Sequence, residues 1–313
     1  MQQRSLTGMA EAVGNTPLVP LRRVVPAGSG QVLLKLESQN PTGSMKDRMA
    51  LAVVAGAEAR AQLQPGGMLV EYTGGSTGTS LAFVCAARGL ACTLVSSDAF
   101  SSEKRDHMRA LGARVIELPS EGGGTTRALI QRMMERAREL AQQPGAFYAD
   151  QFNNPDAADG YASLAQELWA QTGGSLDAFV QSVGTAQCIT GVARGLRARH
   201  PRVQVIAVEP SESAVLSGGA PGSHKIEGVG PGFVAPIWRP EVADAIQTVS
   251  TADAMAMARR LAREEAIFAG TSTGANVVAA LQVAARLGPQ ATVVTLACDS
   301  GLKYLSTPLF SAR

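Results

Sequence analysis

The sequence predicts an α/β protein of two domains, each with a mainly parallel twisted sheet flanked by helices. Three observations lead there. Helical periodicities alternate with short β-branched runs from end to end, the order that builds parallel sheets through crossover helices. A length of 313 residues suits about two domains of roughly 150 residues each. A hydrophobic content of 45% beside 17% charged residues supplies sizeable cores without the polarity of a disordered chain.

Each element has a local reason. Val32, Leu33 and Leu34 start a strand at 32–37, and the Pro/Gly turn through Pro41 and Gly43 leads into an alanine-rich helix at 45–62. A strand at 68–71 meets a Gly/Ser/Thr loop ahead of an apolar helix at 77–88. Strands at 92–96 and 114–117 bracket an amphipathic helix at 102–111, and a helical period follows at 125–142. The second half repeats the alternation: helix 156–169, strand 178–182, helix 186–200, strand 203–208, helix 252–265, helix 274–286 and strand 292–296. Between 209 and 240, crowded Gly, Pro and Ser interrupt the pattern.

Composition narrows the function. A net charge of +2, with arginines spread over several helices, gives no basic stripe for nucleic acid. Arg4 near the N-terminus is not followed by an apolar core of signal-peptide length. The most apolar stretch, 81–95, is interrupted by Arg88 and is too short for a bilayer. No membrane association and a cytoplasmic location are therefore expected. Cys85, Cys92, Cys188 and Cys298 show no CxxC or zinc-type spacing and read as reduced thiols. With His107, His200 and His224 scattered, spacing supports no metal site.

The chemistry concentrates in strand-to-helix turns. Lys46, in Asn40-Pro41-Thr42-Gly43-Ser44-Met45-Lys46-Asp47-Arg48, falls near a helix N-terminus, where a cation opposes the helix dipole. A lysine in a dry pocket loses preference for the charged form, and its neutral amine condenses with aldehydes. Lys35, Lys104, Lys225 and Lys303 have no comparable setting in sequence. Three further turns gather N–H groups and hydroxyls ahead of a helix: 71–80, 182–191 and 269–276. Each reads either as an anion receptor or as ordinary helix capping.

Taken together, these stretches resemble the cysteine synthase family of fold-type II pyridoxal-phosphate enzymes, which includes O-acetylserine sulfhydrylase and the catalytic core of cystathionine β-synthase. The resemblance runs from Gly14-Asn15-Thr16-Pro17-Leu18 to Gly301-Leu302-Lys303-Tyr304-Leu305-Ser306, with five separated motifs in the family's order. It implies a tryptophan synthase β-like fold and pyridoxal 5'-phosphate bound to Lys46 as a Schiff base. It implies that Thr73, Gly74, Gly75, Ser76 and Thr77 grip the substrate's α-carboxylate, with Gln151 as a second ligand. It places the phosphate cup at Gly184, Thr185, Ala186, Gln187 and Cys188, and Thr273 at the pyridine nitrogen. The loop His224-Lys225-Ile226-Glu227-Gly228-Val229-Gly230 is implied to form the active-site mouth, with Gly228 near the substrate. The domains are then expected at 1–147, holding Lys46 and the carboxylate loop, and 148–313, holding the cup, with the first ~36 residues able to cross between them.

Two departures bear on substrate choice. The family's loop usually reads Thr-Ser-Gly-Asn-Thr-Gly; here Gly74 and Ser76 replace the Ser and Asn, and Ser76 is expected to make the contact to the cofactor's ring oxygen at longer range or through water. The cup usually reads Gly-Thr-Gly-Gly-Thr, and Ala186, Gln187 and Cys188 fill its last three places. The implied reaction is β-replacement on an O-activated L-serine by sulfide or another nucleophile, yielding L-cysteine or a related β-substituted alanine. The alternatives are condensation of serine with homocysteine, an O-phosphoserine donor, an amine or cyanide nucleophile, a dehydratase, and a non-catalytic binding protein. A homodimer and a serine acetyltransferase partner are further implications of the resemblance.

Overall fold

The computed structural model describes residues 6–121 and 126–311. Arg4 and Thr125, the expected first residue of one helix, lie outside the described residues. Two sheets carry the architecture. The six-stranded sheet has the order β1 (Leu18–Pro20), β2 (Gln31–Lys35), β10 (Thr292–Leu296), β7 (Ala178–Ser182), β8 (Gln204–Pro210), β9 (Ala245–Val249). The four-stranded sheet runs β5 (Arg114–Leu118), β4 (Ala91–Ser97), β3 (Met68–Tyr72), β6 (Ala146–Tyr148). Every pairing is parallel except β1 with β2. The central strands β7 and β10 are buried at every residue, as expected where helices cover both faces of a parallel sheet.

The seven expected strands are present, and three more appear. β1 and β6 have three residues each, β1 ends on a proline, and β9 is a half-exposed edge; such pieces carry little periodicity. β2 pairs with β10 and β1 with β2, so both strands belong to the sheet of the C-terminal half. The helices are α1 (Lys46–Ala59), α2 (Ser76–Arg88), α3 (Ser102–Ala110), α4 (Arg127–Leu140), α5 (Asp156–Asp159), α6 (Ala162–Gln171), α7 (Gln187–Arg197), α8 (Thr251–Glu264) and α9 (Thr271–Leu287).

The single helix expected at 156–169 is two, α5 and α6, parted at Gly160. A Cβ on Gly160 would lie 2.6 Å from the Arg48 carbonyl oxygen, so α1 packs there at backbone distance. At 269–276 the chain is already helical from Thr271, with Gly270 as the cap residue and no side-chain capping bond. Thr271, Ser272 and Thr273 therefore lie inside the first turn of α9.

The topology sets the site. The carboxyl ends of β2, β3, β7 and β10 lead into residues 36–46, 73–76, 183–187 and 297–300, and these segments converge. That is where open parallel sheets place ligands, because helix N-termini and loose backbone gather at that edge. No described helix is long and apolar enough to cross a membrane, and no group of metal-ligating residues occurs among the described residues.

Candidate active site

Lys46 is held by its neighbours while its own amine is left free. Met45 N donates to Cys298 O at 2.9 Å and Ser300 N to Gly43 O at 2.9 Å, which ties the turn before α1 to the segment beyond β10. Asp47 is buried; its carboxylate accepts from Thr42 N at 2.8 Å, Thr42 Oγ1 at 2.5 Å and Ser80 Oγ at 2.6 Å. Arg48, also buried, forks onto Glu37 at 2.7 and 2.8 Å and onto Glu167 at 2.7 and 2.8 Å. Bidentate pairs of this kind fix orientation as well as energy. The Lys46 Nζ has no hydrogen-bond or ion-pair partner among the described residues. Burial holds its amine below the ordinary lysine value, against the opposing pull of Cys188, Cys298 and Asp299. Burial also pushes both thiols up, Cys298 to about 11, so at neutral pH neither is a competing anion.

Lys46 opens into a cavity of about 510 Å³. Its wall brings together Lys46, Thr73, Gly74, Gly75, Ser76, Thr77, Gln151, Gly184, Thr185, Ala186, Cys188 and Gly228. Two predicted residues, Gln187 and Thr273, are not on it.

The turn after β3 is shaped from within. Thr73 Oγ1 accepts from Gly75 N and Gly78 N, both at 2.9 Å. Gly75 has φ +135°, a region open to glycine and strained for other residues. Thr77 Oγ1 donates to Gln151 Oε1 at 2.8 Å, and Gln151 Nε2 donates to Tyr72 O at 2.9 Å. Beneath them Glu71 is fully buried and accepts from Gln151 N at 3.1 Å, and burial lifts its carboxyl to about 8. The Gln151 amide is thus engaged by the turn it supports.

The turn after β7 has the form of a cup. Ala186 precedes α7 in the left-handed region, φ 61°, and Thr190 N takes the Ala186 carbonyl. The N–H groups of Gln187, Cys188 and Ile189 therefore have no intrahelical acceptor and stand at the positive end of the helix. A Cβ on Gly184 would run into the Gly228 carbonyl oxygen, so the mouth loop lies directly over the cup.

Three side chains differ from expectation. Gln187 turns away from the cavity: its Nε2 donates to Gln151 O and Phe152 O at 3.2 Å each, so it buttresses the segment carrying Gln151. Thr273 Oγ1 is taken by Cys298 N at 3.0 Å, and the hydroxyl of that turn on the cavity wall is Ser272. Ser76 Oγ donates to Asp299 Oδ2 at 3.3 Å, so its hydroxyl is directed to a carboxylate across the cleft. The sequence reading missed Asp299, although an acid directly past the β10 apolar run was its available signal. It also set aside Lys104 and Lys303, both of which are buried. Lys104 lies on the cavity wall. Burial holds the Lys303 amine at about 8.

These features fit the cofactor that the resemblance implies. An aldehyde needs a free amine, which Lys46 offers, and a phosphate needs unbonded N–H groups, which the cup offers. Gln181 Oε1 and Ser182 Oγ, on residues of the same wall, are buried without a hydrogen-bond partner, a state proteins rarely leave unanswered.

Comparison with known proteins agrees. Residues 9–299 match the family model described as "Pyridoxal-phosphate dependent enzyme". The cysteine synthase of Staphylococcus aureus is 40% identical over 313 residues, covering 99% of both chains. Among solved structures, O-ureido-L-serine synthase superposes with a TM-score of 0.90 at 40% identity, over 99% of this chain and 96% of the other. Cysteine synthase (OASS) from Entamoeba histolytica gives 0.92 at 34% identity, over 100% and 93%. With the free lysine, the cup and these full-length likenesses in agreement, the chain belongs to the family of pyridoxal-phosphate dependent enzymes.

Proposed function

We propose that this enzyme replaces the β-substituent of an O-activated L-serine with sulfide, forming L-cysteine. The observation that carries the proposal is Lys46: a free, half-buried amine that shares one cavity wall with the Thr73–Thr77 turn. Bound pyridoxal phosphate supplies an aldehyde for amino groups and a sink for the electrons of a carbon acid. Lys46 would hold its aldehyde carbon, the N–H groups of Gln187, Cys188 and Ile189 its phosphate, and Ser272 a neutral hydroxyl beside its ring.

The residues of the chain do the rest. The Thr73–Thr77 turn binds and orients the amino acid by its α-carboxylate. The Lys46 amine, kept below the usual lysine value by burial, accepts the Cα proton once the substrate's amino group has taken its place and freed it. Loss of the β-substituent and capture of sulfide follow inside the walls, and the mouth loop at Gly228 limits access of water. Lys46 then returns its proton.

A purified sample given O-acetylserine and sulfide is expected to form cysteine, with O-phosphoserine and serine plus homocysteine as competing arms. Turnover confined to serine with homocysteine would replace this proposal with the cystathionine reaction. The likeness to a protein named O-ureido-L-serine synthase and the altered Gly74/Ser76 turn favour one second reading, a nucleophile other than sulfide. By the same family reasoning the enzyme acts as a cytoplasmic homodimer and meets a serine acetyltransferase; size-exclusion and co-elution measurements test both.

A further inference from the structure

Lys104 is a lysine where lysine is rarely found. It is 3% exposed, and such residues are buried only when paired. It makes three contacts, each to a different part of the site. Its Nζ lies 2.5 Å from Glu227 Oε2, on the mouth loop. The same ammonium stands 4.3 Å from the centroid of the Tyr304 ring, a favourable cation–π distance. Its aliphatic stem fills the open side of Gly75: a Cβ there would collide with Lys104 Cδ and lie 3.0 Å from Cβ and Cγ. Gly75 is the pivot of the Thr73–Thr77 turn, since its φ of +135° lets the chain reverse before α2.

The far ends of these contacts are themselves anchored. Glu227 N donates to Thr271 Oγ1 at 3.1 Å, at the start of α9. Tyr304 OH donates to Asp299 Oδ2 at 2.7 Å, the oxygen that also receives Ser76 Oγ. The turn is therefore flanked on one side by Lys104 and on the other by Asp299. Both flanks reach residues 227–304, and Lys104 itself stands on α3, which follows β4 of the four-stranded sheet.

We infer that Lys104 is a positioning residue for the substrate's carboxylate: its stem seats the Gly74–Gly75 turn while its ammonium clasps Glu227 across the mouth, holding the turn against the bound amino acid. This rests on the proposed function insofar as the turn is taken to bind that carboxylate. Opening the mouth separates a buried ammonium from its partner, which favours the closed arrangement. Glu227, 27% exposed in its side chain, can regain water, so the clasp is releasable from that side.

Two substitutions separate stem from charge. Lys104→Met keeps an unbranched stem over Gly75 and removes the ammonium; Glu227→Gln keeps the shape and removes the carboxylate. In the pyridoxal-phosphate-loaded enzyme each is expected to raise KM for the amino-acid donor by about 10-fold, the scale of one partly buried ion pair, with kcat changed much less. Amide hydrogen exchange at 73–78 and 226–230, measured with and without L-cysteine, is expected to quicken in both variants. The reversed pair Lys104→Glu/Glu227→Lys is expected to recover part of the loss. Wild-type KM and exchange in both single variants, or a reversed pair no better than either, would overturn the clasp. A wild-type enzyme that turns over no activated serine refutes the proposed function instead, and the exchange measurement then judges the clasp alone.

Discussion

Ser76 Oγ donates to Asp299 Oδ2 at 3.3 Å, joining the turn after β3 to the segment after β10 across the cavity. Tyr304 OH shares that oxygen at 2.7 Å. Tyr304→Phe leaves Asp299 with the longer of its two bonds in a buried setting. A hydrogen bond to a charged group contributes about 1.5–3 kcal/mol, so the variant should lose stability of that order in denaturant titration. Ser76→Ala, which removes the weaker contact, should lose less.

The buried carboxyl of Glu71 predicts a pH dependence. Its folded value is raised to about 8 from an ordinary 4.5, so the folded state binds a proton that the unfolded state has released. The stability tied to that proton is fully present below about 4.5 and is lost as pH rises through about 8. The contribution to the slope reaches about 1.4 kcal/mol per pH unit between those values. Urea titrations from pH 5 to 8 should show it, and Glu71→Gln should flatten it. An unchanged slope in the variant would assign the dependence elsewhere.

Arg48 is expected to be the most costly single replacement near Lys46. It bonds Glu37, which is fully buried, and Glu167, whose carboxyl it helps to hold at about 2 against burial. Arg48→Met leaves Glu37 in the interior without a cationic partner, while Glu167 keeps Lys35 Nζ at 2.6 Å. Breaking a buried pair by removing one partner costs about 3–5 kcal/mol. A large fall in the unfolding midpoint is expected, together with reduced turnover, because Arg48 sits two residues beyond Lys46 on the same helix.

Gly184→Ala tests the cup. The added methyl meets the Gly228 carbonyl oxygen, so the mouth loop must withdraw. Weaker retention of pyridoxal phosphate on dialysis is expected, read by absorbance against protein concentration, with little change in far-UV circular dichroism. Full retention would mean that the loop moves without disturbing the cup.

Much of the fold was legible because its signals are local. A buried parallel strand such as 292–296 and a helix such as 102–111 carry their patterns within a few residues. The two departures were visible in the same way, since Gly74 and Ser76 can be read off the turn. Short edge strands left no such pattern, and 18–20 became a strand only through pairing with 33–35.

The sequence by itself determined the alternating architecture, the lysine with a helix start behind it, and the glycine-rich turns, because each is a property of neighbouring residues. Tertiary structure alone decided which polar groups face one another. Lys104 stands 123 positions from Glu227, and Ser76 stands 223 from Asp299. It also decided that Ser272 lines the cavity while Thr273 serves Cys298 N. The physical reason is that burial and partner distance set the state of an ionisable or hydroxyl group, and both are fixed only when the two sheets bring distant turns to one edge.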